Sequence, residues 1–344
     1  MSADPADADP LINPLTALFA EIEAVVLGII ARGVVEGWAG IRVRQQVAIA
    51  LAGYPQSIAD LMLEALTAAQ AAGSAAALRD VSGSEHHRIP TPDPRRPTSL
   101  LMQIVRQAPS SAARMHQSVN DKVTQALIDN QFGTRKDAAA ELLQGYARKG
   151  ITGFTDVAGR NWDLVSYAEM VSRTTVGQTV VDSYLEQLDA NGQDLVIVSD
   201  APEECPLCRP FEGRILSIGG PAGQRVVDGV RVAVLTTVAA AVAAGLHHPN
   251  CRHRLNRYQP GVTKPIKVTR DLEASKLREQ QRYRERQIRA DKRSVLVAEA
   301  AGGKGSAAAV AARAKLRRRQ AEFKLWREQH DRKNLTGRTS LKLR

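Results

Sequence analysis

Three cysteines and several histidines of this 344-residue chain fall within one short stretch. Cys205-Pro-Leu-Cys208 is followed, after a gap of 39 residues, by His248-Pro-Asn-Cys251-Arg-His253. Sulfur and imidazole pairs at these spacings suit a tetrahedral divalent metal. A CxxC turn lets both sulfurs face one ion at about 2.3 Å, and a second pair closes the shell, as in structural zinc sites. Five residues, Cys205, Cys208, His248, Cys251 and His253, compete for four positions, with His247 the weakest candidate. Cys205, Cys208, His248 and Cys251 are the favoured four, and His253 is expected to point elsewhere from an extended stretch. The same side chains also fit a redox pair or metal-free packing. A redox CxxC opens a helix after a strand, which Pro206 and the RPFEG turn do not resemble. A catalytic zinc needs an open position and a base. Glu203, Glu204 and Glu212 are at hand, yet neither HxE…PCxxC nor HExxH is present. GxGxxG after a strand, GxxxxGK[ST] and GxSxG are missing as well. The expectation is a structural zinc and no enzyme.

The elements that must position these residues change character along the chain. Leu15, Phe19, Ile22, Val26, Ile29 and Ile30 recur at helical spacing between Asn13-Pro14 and Gly33, and helices are predicted at about 41–51 and 58–78. Residues 82–98 hold Pro90, Pro92, Pro94 and Pro97 among polar side chains, which predicts an extended linker or arm. Helical periodicity returns over 111–149, with Val119, Val123, Ala126 and Leu127 on one face, and again over 162–188. After Asp194 the β-branched runs LVIVS, GRILSI and GVRVAVL, punctuated by Gly219-Gly220-Pro221 and Asp228-Gly229, predict a small sheet over 194–236. An Ala-rich helix then delivers the chain to His247. The fold class is therefore mainly α with a small α+β module. Its parts are a helical N-terminal region (1–81), the Pro-rich linker (82–100), a helical middle (101–193), the Cys/His module with its β-hairpin sheet (194–260) and long basic C-terminal helices (261–344).

Charge is uneven. The whole chain carries +11, but residues 264–344 hold 24 Lys+Arg against nine Asp+Glu, so the rest is slightly acidic. Clustered bases suit a polyanion such as nucleic acid, through counterion release. Segment 271–293 also reads as a solvated helix with i,i+4 pairs. The stretch with Arg313, Lys315, Arg317, Arg318, Arg319, Lys324 and Arg327 is the better candidate for phosphate contact. No uninterrupted apolar run reaches the roughly 18–20 residues of a membrane span, so no membrane contact is expected. An odd cysteine count points to a reducing compartment. Two alternatives stay open: a zinc-containing protein reading DNA sequence through Arg252, Arg254, Asn256 and Arg257, and a zinc-dependent hydrolase.

Three stretches resemble a known family. Gly159-Arg160-Asn-Trp162, with Tyr167, Met170 and Arg173-Thr174-Thr175, is one. Cys208-Arg-Pro-Phe-Glu-Gly213 is another, and His248-Pro-Asn-Cys251-Arg-His253 the last. In this order they resemble the phage minor capsid protein 2 family, related to the MuF-like minor head proteins. The resemblance implies a virion structural protein made in the host cytoplasm. It would lie at the portal vertex or capsid interior and act in head assembly, DNA packaging or ejection. Portal and capsid proteins and packaged double-stranded DNA, bound without sequence preference, are the implied partners, with homo-oligomerisation open.

Overall fold

The computed structural model describes residues 8–81, 83, 85–90, 92–151, 154, 155, 159, 161–201, 206–249, 251, 253–269, 271–339 and 341. Its helices are α1 (Ala8–Leu11), α2 (Asn13–Glu36), α3 (Gly40–Leu51), α4 (Tyr54–Asp80), α5 (Arg95–Ile128), α6 (Arg135–Ala147), α7 (Leu164–Ala190), α8 (Val238–Ala243), α9 (Leu272–Gly302) and α10 (Ala307–Gln329). The strands are β1 (Phe154–Thr155), β2 (Asn161–Trp162), β3 (Leu195–Val198), β4 (Ile215–Ser217), β5 (Gly223–Val227), β6 (Val230–Thr237) and β7 (Leu255–Arg257). The chain is thus mainly helical with a small mixed sheet. Two compact units divide it. One comprises Met1–Asn13, Asp60–Pro97 and Met170–Arg278, the other Pro14–Ala59, Thr98–Glu169 and Glu279–Arg344, and the division falls within α2, α4, α5, α7 and α9.

The first unit carries the sheet, in the order β5-β6-β4-β3-β7, with β4 and β6 parallel and the other pairs antiparallel. Asp228 and Gly229 both take positive φ and close the β5–β6 hairpin, the backbone that a two-residue hairpin turn demands. Asp194 accepts hydrogen bonds from the backbone N–H groups of Gly219 and Gly220, both at 2.9 Å, and from Arg225 at 2.6 Å, which fixes the loop before β5. Leu195, Val232 and Val234 form the apolar cluster under the sheet. Strand β7 lies beyond the span predicted from sequence, because the three residues Leu255–Arg257 carry too little pattern to read.

Helices α7 and α4 support this sheet. The buried Tyr184 of α7 donates to Asp80 at 2.8 Å and accepts from the backbone N–H of Arg257 in β7 at 2.8 Å. Arg257 itself donates to Gln193 and to the Asp80 carbonyl. Where the two helices meet, a Cβ on Gly73 would fall 2.2 Å from the Val180 carbonyl oxygen, so the backbones touch there. By length and composition α4 is long and apolar enough to cross a membrane, although no uninterrupted apolar run marks it. Its alanines raise the mean hydropathy without forming a continuous run. Ile58, Met62, Leu66, Ala69, Ala76 and Ala77 are buried within the protein.

The second unit is helical apart from the β1–β2 pair. Leu15, Phe19, Ile22, Val26 and Ile30 form the buried stripe of α2, and Val43 and Val47 that of α3. Helix α5 begins at Arg95, inside the segment predicted as linker, and ends at Ile128. Thr134 then caps α6 by accepting from the Asp137 N–H. Trp162 stands in β2, and the helix predicted to include it starts at Leu164.

The basic C-terminal region folds back on itself. Ion pairs Arg313–Glu299 and Arg319–Asp291 and the Arg284 guanidinium over the Trp326 ring place α9 and α10 antiparallel, joined at Gly303. Helix α9 is not the solvated helix that its charge suggests. Ile288, Val295, Val297 and Ala298 are buried, and so are Arg289, Asp291 and Arg293. Arg293 pairs with the fully buried Glu23 of α2 at 2.8 Å and with Asp163 at 3.2 Å, while Arg148 and Arg319 share Asp291.

Candidate metal centre

The Cys/His residues gather at the end of β3. Its last residue, Val198, accepts from the Gly213 N–H and donates to Arg214, and Ser199 donates to the Arg254 carbonyl. Two segments therefore flank one strand end: the turn from Cys208 through a short 3₁₀ helix to Gly213, and residues 251–254 leading into β7. After α8 the chain turns sharply. Gly245 and His247 both take positive φ, and the Cys251 N–H donates to the His248 carbonyl at 2.9 Å, which brings His248 and Cys251 back over Cys208. Gly245 is where the geometry needs a glycine, since its φ of 117° is foreign to other residues.

Cys208, His248 and Cys251 hold their ligand atoms within 4.8 Å of one another. The two sulfurs stand 3.5 Å apart, close to the roughly 3.8 Å edge of a tetrahedron with metal–sulfur bonds of about 2.3 Å. Cys208 is buried and Cys251 half-buried, and both are free thiols. Of the five predicted ligands, Cys205 lies outside the described residues, as do Glu203, Glu204, Asn250 and Arg252. His253 stands outside that group of three, although its Nδ1 is 3.4 Å from the Cys251 sulfur. Alternate residues of an extended chain share a face, so position 253 returns to the side of 251.

Glu212, at the end of the 3₁₀ helix, accepts from His253 Nε2 at 2.6 Å, and each side chain is only 1% exposed. The thiol of Cys251 is held far below its ordinary pKa, first by the hydrogen bond from Cys208, against burial, and then by His253. Burial lowers the pKa of His253, but its bonds with Cys251 and Glu212 outweigh that and the net shift is upward. A thiolate held this way can coordinate a metal or attack an electrophile. Two sulfurs and an imidazole could together hold a metal ion, and the backbone N–H of His253 directed at the Cys251 sulfur at 3.4 Å suits a thiolate acceptor.

A family model described as phage minor capsid protein 2 matches residues 95–326, about two thirds of the chain and all of this centre. The chain belongs to the phage minor capsid protein 2 family. A structural protein of Lactococcus phage LL-H is 26% identical over 202 residues, 57% of this chain and 54% of its own length. The chain thus spans about half the length of that relative. No solved structure matches the chain.

As a family member the chain is a structural phage protein, and the placement of its basic residues bears on what it touches. Helix α10 carries all seven predicted phosphate contacts, in two groups. Lys315, Arg317, Arg318 and Lys324 are exposed. Arg313 and Arg319 are bound to Glu299 and Asp291 of α9, and Arg327 stacks over Phe323. Arg313 and Arg319 tie α10 to α9, whereas the Arg327 stack stays within α10. Arg254, Asn256 and Arg257, which a sequence reader would need on a helix, instead precede or form strand β7, where Arg257 is tied to Asp80 and Gln193. Sequence reasoning left Glu212 among three interchangeable acids. Its pairing with His253 follows only once β3 and β7 stand side by side.

Proposed function

We propose that this protein is a minor head component at the portal vertex or capsid interior, acting in head assembly and in DNA packaging or ejection. It is a structural part and not a catalyst. The observation that carries this reading is the family match over residues 95–326, which takes in both the Cys/His centre and α10. Under it, zinc held by Cys208, His248 and Cys251, with a fourth ligand from Cys205 or His253, clips β3 and β7 into a rigid knob. Small modules of this kind gain folding energy from the metal itself. Exposed Lys315, Arg317, Arg318 and Lys324 of α10 supply a sequence-independent contact to packaged double-stranded DNA.

The test is a salt series of binding to duplexes of unrelated sequence. Affinity should fall steeply with salt and equally for all duplexes, and the triple variant Lys315→Gln, Arg317→Gln, Arg318→Gln should lower the log–log slope by about 3. Binding untouched by the triple variant would assign these residues to protein contact instead. A strong preference for one sequence would overturn the non-specific reading.

A further inference from the structure

We propose that the fourth metal ligand is His253 through Nδ1, aligned by the buried carboxylate of Glu212, and that Cys205 is not required. This deepens the zinc reading above and rests on it. Metal-bound histidines characteristically donate their second ring N–H to a carboxylate or a backbone carbonyl, which fixes the tautomer and aims the other nitrogen. Both candidate histidines carry that mark. His248 Nδ1 stands 2.9 Å from the Pro249 carbonyl oxygen. His253 Nε2 stands 2.6 Å from Glu212 Oε1, which leaves Nδ1 on the side of the Cys251 sulfur, 3.4 Å away. With metal–sulfur and metal–nitrogen bonds of about 2.3 and 2.0 Å, a tetrahedron has a sulfur–nitrogen edge of roughly 3.5 Å. The Cys251–His253 pair already has that spacing.

Glu212 supplies the independent observation. Its side chain is 1% exposed, and Oε2 has no hydrogen-bond partner. An ionised carboxylate this deep is costly unless positive charge stands near. A dication one imidazole away supplies that charge. The donor atoms of Cys208, His248 and Cys251 already lie within 4.8 Å of one another; His253 stands outside that group, so its ring must swing in from the Cys251 side to close the shell. Glu212 is a positioning residue here, since it reaches the ion only through His253.

Cobalt(II) titration of the full chain, read by visible absorption, separates these roles. Tetrahedral cobalt shows ligand-field bands and thiolate charge-transfer bands that report the donors. Cys205→Ser should keep the wild-type spectrum and affinity, while Cys208→Ser should lose thiolate charge transfer. Glu212→Gln should keep the spectrum and bind about 10–100-fold more weakly. His253→Gln should alter the ligand-field bands, and His253→Cys should add charge-transfer intensity, a gain that no misfolded variant would give. A wild-type spectrum in His253→Gln, lost charge transfer in Cys205→Ser or undiminished affinity in Glu212→Gln would overturn the assignment while leaving zinc in place. A wild-type chain that takes up no cobalt would overturn the zinc reading and this assignment together.

Discussion

His116 shows how much a single buried side chain can set. It lies on α5 with 1% of its surface exposed, packed against Gly33, where a Cβ would fall 3.1 Å from the imidazole ring and 2.8 Å from Val43. Burial, the leading cause, holds its pKa below the ordinary imidazole value. The unfolded chain therefore takes up a proton near pH 6.5 that the folded chain refuses. The stability contributed above that pH is lost as pH falls toward the folded pKa. His116→Gln should narrow the gap between urea midpoints measured at about pH 7.5 and about pH 5.5; an unchanged gap would assign the acid sensitivity to other groups. At the Cys/His centre, Cys251→Ser should lower the thermal midpoint and remove bound zinc together, since the metal is expected to act as folding energy. Loss of stability without any metal in the parent would mean that the thiols only pack. The gathering of Cys208, His248 and Cys251 was legible in the sequence, because their types and spacing are local features. The role of Glu212 was not, because nothing within its own stretch distinguishes it from Glu203 and Glu204.

Elements followed their periodicity wherever one face meets the core. The stripe of α2, the Asp228-Gly229 hairpin and the runs that became β3, β4 and β6 were all legible. Helix α9 was not, because a charged sequence on a helix reads as solvated, and only distant partners show otherwise. Glu23 sits within an apolar stripe of α2, and Arg293 among alternating charges of α9, 270 residues on. Each meets the other only in the folded unit. Glu23→Ala would leave Arg293 with Asp163 alone, and should cost about 3–5 kcal/mol, measured by denaturant unfolding. A cost near that of an exposed pair, below about 1 kcal/mol, would mean that water reaches the site. Gly73 makes the matching case in the other unit. Gly73→Ala ordinarily favours a helix, but here the added carbon collides with the Val180 carbonyl. The variant should therefore be destabilised, and a raised midpoint would show that α4 and α7 can part without cost.

At the scale of the molecule, family membership and charge point the same way. A chain with net charge +11 spends part of its basic surplus on internal pairs with Glu23, Asp163, Asp291 and Glu299, and leaves Lys315, Arg317, Arg318 and Lys324 exposed on α10. Part of the tail's charge thus serves the fold, a division that net charge could not reveal. The account stands or falls on whether the protein is built into the particle. Quantitative mass spectrometry of purified virions of the encoding phage tests this most directly. The account predicts the chain in every preparation, at a small number of copies beside a large excess of the main capsid subunit. Its absence from particles, with the chain found only in the lysate of infected cells, would contradict a role in the head.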